Sequence, residues 1–195
     1  MACINYPRTF FVYLCVLTSK QKHLILKDLA RWNENNKNSL GLFESLNWYL
    51  TYYKQFRNLL INRFKYPHRS IIHYLIARLL WKPMETLYIY TKDIGGGLYI
   101  QHGFATIVSA EKIGENCRIY QQVTIGYKGE LNPVLEDNVS VTCGAKVLGG
   151  ITMGKNSLAA AGSVVLKDVP MNAIVAGVPA KVISYKDENN LNFQG

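Results

Sequence analysis

The sequence lacks any long hydrophobic run. Its longest, TFFVYLCVL from Thr9 to Leu17, has nine residues, whereas a bilayer span needs about 20. The run follows Arg8 but has no small-residue cleavage site, so it is a poor secretory signal. Cysteine is scarce. Cys3, Cys15, Cys117 and Cys143 form no CxxC pair and no dense framework. That excludes a disulfide scaffold and points to free thiols in a reducing, cytoplasmic compartment. Histidine occurs four times, at His23, His68, His73 and His102, and only His102 lies in the second half. It has no Cys or His partner at ligand spacing, so no metal is expected.

Acidic residues are scarce in one half only. Residues 1–92 hold 14 Lys/Arg and 4 Asp/Glu, a net +10; residues 93–195 hold 8 and 9, a net −1. The basic excess has two readings. One is a solvated helical face. The other is peripheral attraction to an anionic surface, either headgroups at the inner face of the membrane or a pyrophosphate-linked lipid. No nucleic-acid motif accompanies the charge, so nucleic acid is not an expected partner.

What is present falls into two periods. From about Ser39 to Tyr90 the pattern is helical. Leu42, Leu46, Tyr49, Tyr53, Phe56, Leu60 and Phe64 recur at three- and four-residue spacing. Tyr66-Pro67-His68 breaks the pattern, Ser70 offers an N-cap for a second helix, and Pro83 interrupts that helix. Asn33 to Ser39 reads as a polar loop, and the first 30 residues as one short helix or two. After Lys92 the period becomes six. Aliphatic or small residues open steps at Ile94, Ile100, Ile107, Ile113, Ile119 and Ile125. They resume past a loop at Leu135, Val141, Val147, Met153, Ala159 and Val165. One extra residue separates Ile100 from Ile107. A small or aliphatic residue follows four places after most openers, at Cys117, Val123, Val139, Ala145, Ile151, Ser157, Ser163 and Val169.

A six-residue repeat predicts short strands wound into a triangular coil, three hexads to a turn. Openers point inward and fifth residues sit at corners. Twelve hexads give about four coils. The expected architecture is a mainly β, left-handed parallel β-helix over residues 93–183. An α-helical region, 1–92, precedes it, and a tail, 184–195, follows. The tail's ENNLNFQG is faintly similar to a protease-tag remnant.

GGGLYIQHGFATIVSAEKIGENCRIYQQVTIG, GAKVLGGITMG and AGSVVLKDVPMNAIVAGVPAKVI resemble the hexapeptide-repeat acyltransferases. Within them, they are similar to the serine acetyltransferases and their relatives from polysaccharide-assembly clusters. The resemblance covers residues 93–183. It implies a homotrimer, acetyl-CoA in a groove between neighbouring β-helices, and one catalytic histidine whose place matches His102. By position, it implies acetyl-CoA contacts at Gly126 and Tyr127, then Cys143 and Ala161, with Lys181 meeting the 3′-phosphate. An imidazole suits the chemistry, because a neutral hydroxyl needs a base near neutral pH to attack a thioester. Without the resemblance, His102 in the turn Gln101-His102-Gly103 reads as a residue that hydrogen-bonds the backbone.

The sequence departs from the serine acetyltransferase pattern at three places. The aspartate that usually precedes the histidine is Gln101 here. The loop that usually carries Arg-His-Pro has Leu131, Asn132 and Pro133. The aspartate expected fifteen places before the histidine is Leu87; Asp93 lies nine before. Asp93 reads either as a partner that orients His102 across a trimer interface or as a cap of the β-helix. These losses remove charges that a zwitterionic acceptor would use. Gln101, Gln122 and Asn132, with Gln121 and Tyr127, suit a sugar hydroxyl. The leading expectation is therefore acetyl-CoA-dependent O-acetylation of a sugar in a surface polysaccharide or its precursor. Serine O-acetylation toward cysteine is the alternative, and a non-catalytic β-helix scaffold is a third.

Overall fold

The computed structural model describes residues 2–66 and 70–186, so Met1, Pro67, His68, Arg69 and the stretch 187–195 lie outside the described residues. A 3-10 turn, Ala2–Asn5, leads into five helices: α1 (Tyr6–Thr18), α2 (Lys22–Asn35), α3 (Leu42–Tyr52), α4 (Lys54–Lys65) and α5 (Ile71–Leu80). The first 35 residues therefore hold two helices, and α2 runs into the Asn33 segment expected to be a loop. It does so because Ile25, Asp28, Leu29 and Trp32 make one buried face at helical spacing. The continuous helix expected from Leu42 to Phe64 is broken at Tyr53, whose φ of −120° and ψ of 91° are extended. Arg57 folds back across the break. Its Nε donates to Leu50 O at 2.7 Å and its Nη2 to Thr51 O at 3.0 Å, capping the carbonyls that end α3. Ser70 does occupy the N-cap position of α5, but its side chain makes no capping bond.

Trp32 is the hub of the helical core. It packs edge-on against Tyr49, Tyr53 and Phe56, with centroids 5.5, 5.7 and 5.0 Å away. Such pairs each add about 0.5–1.5 kcal/mol beyond area burial.

From Leu87 the chain winds into a parallel solenoid of about five turns with three sheets. The first sheet stacks β1 (Leu87–Ile89), β4 (Thr106–Val108), β7 (Thr124–Gly126), β10 (Lys146–Leu148) and β13 (Val164–Val165). The second stacks β2 (Asp93–Ile94), β5 (Lys112–Ile113), β8 (Val134–Leu135) and β11 (Thr152–Met153). The third stacks β3 (Tyr99–Ile100), β6 (Arg118–Ile119), β9 (Ser140–Val141), β12 (Leu158–Ala159) and β14 (Ala173–Gly177). At its end, β15 (Ala180–Tyr185) turns back antiparallel to β14. The solenoid thus opens six residues before the change of period at 93, and β15 runs two residues into the stretch read as a tail. Asp93 opens β2, the end strand of the second sheet, one strand after the solenoid begins at β1.

All eight fifth-place residues are buried, and so is every opener but one. Ile107 is 40% exposed. Val108 takes its inward place, paired with Ile125 in register. Each buried aliphatic side chain contributes about 1.5–3 kcal/mol. The corner between second and third sheets needs a left-handed residue in every turn. Gly97 (φ +81°), Asn116 (+56°), Asn138 (+59°), Asn156 (+61°) and Asn172 (+62°) supply it, asparagine being the residue that tolerates this region best after glycine.

One buried ion pair joins the halves. Asp28 on α2 and Arg63 on α4 are 2% and 3% exposed. Arg63 Nε donates to Asp28 Oδ2 at 2.8 Å and Nη2 to Oδ1 at 3.0 Å. The same guanidinium donates to Ile94 O and to Gly95 O, while Gly97 N and Leu98 N donate to Asp28 Oδ1. Burial pushes the Asp28 carboxyl up; Arg63 and the two amides pull against that. Trp32 Nε1 adds a bond to Leu98 O at 2.9 Å. The helices therefore seat on the first complete turn, next to the candidate site.

Candidate functional site

The corner between the third and first sheets carries His102, and hydrogen bonds fix what is extra there. Gln101 N, Tyr120 N and Thr142 N donate to Ile119 O, Val141 O and Ala159 O, so these three residues enter the corner alike. Gln122 N, Gly144 N and Gly162 N donate to Phe104 O, Gln121 O and Cys143 O. Phe104 is thus the counterpart of Gln121, Cys143 and Ala161. Ala105 (φ +49°) is the counterpart of Gln122 (+61°), Gly144 (+72°) and Gly162 (+69°). His102 and Gly103 have no counterpart. They are a two-residue insertion, partly offset by a five-residue step from Val108 to Ile113.

The insertion is held from below. Gly103 has φ +67°, and a Cβ there would meet Gln55 Cβ at 3.0 Å, Leu87 Cδ2 at 3.1 Å and Ile100 Cγ2 at 3.2 Å. Only glycine satisfies both the backbone and the space. His102 itself has φ +63° and an exposed side chain. No hydrogen bond among the described residues engages its imidazole. The support that Gln55 and Leu87 give Gly103 escaped the sequence reading, and no periodic signal marks it.

Along this histidine corner, Gln121, Cys143 and Ala161 form a column that ends at the β14–β15 turn. Lys181 lies there, exposed, in register with Ala176. At about 4.8 Å per turn, the column runs about 19 Å from the His102 turn to that end. Gln121 Oε1 is buried and has no partner among the described residues. Gln122 is exposed at the same corner. Cys143 is half-buried, whereas burial pushes the Cys117 thiol up to about 12, which fits a corner filler.

The remaining expected residues lie at the other end of the first sheet, the corner leading to the second. Asp93 opens β2, exposed, with Lys112 Nζ 4.0 Å away. Gly126 ends β7 and Tyr127 begins the long loop, 70% exposed. Asn132 Oδ1 accepts a bond from Ser109 Oγ at 3.4 Å. The loop closes on itself through Lys128 N to Leu131 O and folds over Gly149 and Gly150. A Cβ on Gly150 would lie 2.8 Å from Leu131. One chain therefore brings His102, Gln101, Gln122, Cys143, Ala161 and Lys181 to one corner. It brings Asp93, Gly126, Tyr127 and Asn132 to another, and it does not pair Asp93 with His102.

No family model matches the chain. A serine acetyltransferase of Synechococcus elongatus is 45% identical over 95 residues, 46% of this chain and 39% of that protein. One of Bacillus pumilus is 40% identical over 109 residues, 52% and 50% of the two chains. One of Buchnera aphidicola is 27% identical over 220 residues, 97% of this chain and 84% of that protein. Among solved structures, a Neisseria gonorrhoeae serine acetyltransferase in complex with serine is 25% identical, with TM-score 0.65 over 94% of this chain and 83% of that one. A Brucella abortus serine acetyltransferase in complex with coenzyme A is 25% identical, with TM-score 0.61 over 90% and 73%.

The chain resembles the serine acetyltransferases among the hexapeptide-repeat acyltransferases. It spans half or less of the length of the first two of those relatives. Gln101 beside the histidine is neutral, and so are Leu131, Asn132 and Pro133 in the loop.

Proposed function

We propose that the chain is an acetyl-CoA-dependent O-acetyltransferase with His102 as general base, working where two copies meet in a homotrimer. The observation that carries this is the insertion. Two residues interrupt an otherwise regular corner, and they hold an exposed imidazole at the head of the column Gln121, Cys143 and Ala161. His102 takes the proton of the acceptor hydroxyl as its oxygen attacks the thioester carbonyl. Backbone N–H groups along the corner can stabilise the oxyanion. Its collapse breaks the C–S bond, and the imidazolium returns the proton to the departing thiolate. The column would carry the pantetheine arm past Cys143 and Ala161, with Lys181 near the 3′-phosphate. The split between corners supports the trimer. Threefold assembly would set the histidine corner of one copy against the loop corner of the next, bringing Asp93, Tyr127 and Asn132 toward His102.

The relatives described above are serine acetyltransferases, one of them in complex with serine, and this makes serine the first acceptor to propose. It displaces the sugar favoured by sequence reading alone. A neutral sugar hydroxyl stands as the second reading, on the uncharged set Gln101, Gln122 and Asn132. A coupled assay of CoA release with L-serine, free sugars and sugar nucleotides separates the two. Turnover with L-serine supports the first; turnover only with a sugar acceptor supports the second. Failure to bind acetyl-CoA by calorimetry would leave the scaffold.

A further inference from the structure

The outer faces of α1 and α5 play no part in that chemistry. The two helices lie side by side and antiparallel. Thr18 Oγ1, ending α1, is 3.1 Å from His73 Nε2 near the start of α5, and Arg8 near the start of α1 stacks over Trp81 beyond α5 at 4.1 Å. Ala77 is the only buried residue of α5. Ile72, Leu75 and Leu79 form a stripe at helical spacing, with Ile72 70% and Leu79 86% exposed. Phe10, Phe11 and Leu14 are exposed on α1. An apolar surface of this kind on a folded protein marks an interaction face.

Its setting is cationic. Residues 1–27 and 45–84 contain no Asp or Glu and hold four and seven Lys/Arg, of which Arg63 is buried against Asp28 while Lys27 and Lys82 pair with Glu115 and Glu85. Arg78 projects beside the stripe and Lys20 follows α1, both exposed. Two copies meeting through this face would oppose like charges with no carboxylate from either helix to offset them. An anionic lipid surface supplies both missing complements, acyl chains for the stripe and phosphates for the cations. No helix among the described residues is long and apolar enough to cross a membrane, and ten residues of α5 span about 15 Å. We infer that the α1–α5 face docks in the plane of an anionic membrane surface, with Ile72, Leu75 and Leu79 entering the headgroup boundary.

The test is co-sedimentation of the full chain with vesicles of phosphatidylcholine alone, or of phosphatidylcholine mixed with phosphatidylglycerol. Binding to the mixed vesicles alone, weakening as salt rises, is expected. The double variant Ile72→Glu/Leu79→Glu should bind about tenfold or more weakly, with unchanged helical circular dichroism and acetyl-CoA affinity. Arg78→Gln should flatten the salt dependence. Absence of binding to the mixed vesicles, or equal binding to both, overturns the inference. So does a concentration-dependent doubling of mass that the double variant abolishes, since a second copy would then cover the face. None of these outcomes depends on which acceptor is acetylated.

Discussion

In the solenoid, Ile113, Leu135 and Met153 sit one above another, and each contact repeats the one below. In the helical half, Trp32 meets four different rings and Arg63 reaches one carboxylate and two carbonyls, and none of these contacts recurs. Burial by repetition spreads stability over many equivalent places. Burial by a single cluster concentrates it. The candidate site lies where the two regimes touch, because the histidine corner of the solenoid packs on Gln55 of α4 and Leu87 of β1.

The sharpest separation of the halves comes from His102→Ala. It should lower kcat about 10²- to 10⁴-fold and leave thermal stability and the oligomeric mass unchanged. Full activity in that variant would remove the imidazole from the mechanism. Next in size is the ion pair. Asp28→Ala strands the Arg63 charge in the core and should cost about 3–5 kcal/mol in urea unfolding, and Asp28→Leu/Arg63→Met should not recover it, because Ile94 O, Gly95 O and the amides of Gly97 and Leu98 lose their partners. If the single variant loses under about 1 kcal/mol, the pair is not what joins the regions. Gly103→Ala tests the support beneath the site. Strain at φ +67° and the clash with Gln55 and Leu87 should shift His102 and cut kcat about 10²-fold, with KM for acetyl-CoA little changed. A pure loss of stability would make Gly103 structural only. The smallest effect is a footprint. In a Cys3→Ser background, Cys143 should alkylate ahead of buried Cys15 and Cys117 and be protected by CoA. Equal labelling with and without CoA would move the pantetheine path elsewhere.

Much of the solenoid was legible because its physics is periodic. Eleven of twelve openers and all eight corner residues are buried as the six-residue step requires. The failure at Ile107 is instructive. Counting forward meets Ile107 first, yet the two inserted residues carry Val108 into the inward place. β1 was missed because Leu87, Tyr88 and Ile89 have no hexad before them and follow a helical stretch. Asp28 and Arg63 were invisible for another reason. Sequence reading places charged residues in solvent, and only the fold shows them folded onto one another. His102 was legible from its neighbourhood, but its support was not, since Gln55 stands nearly fifty residues away.

The division of the site between two corners also has a genetic reading. In the proposed trimer, a copy lacking His102 retains an intact loop corner, and a copy altered at Asn132 retains an intact histidine corner. Mixed within one assembly, the two would rebuild complete junctions that neither builds alone. Two inactive alleles of this gene would then complement each other in one cell, and the activity regained would follow the statistics of subunit mixing.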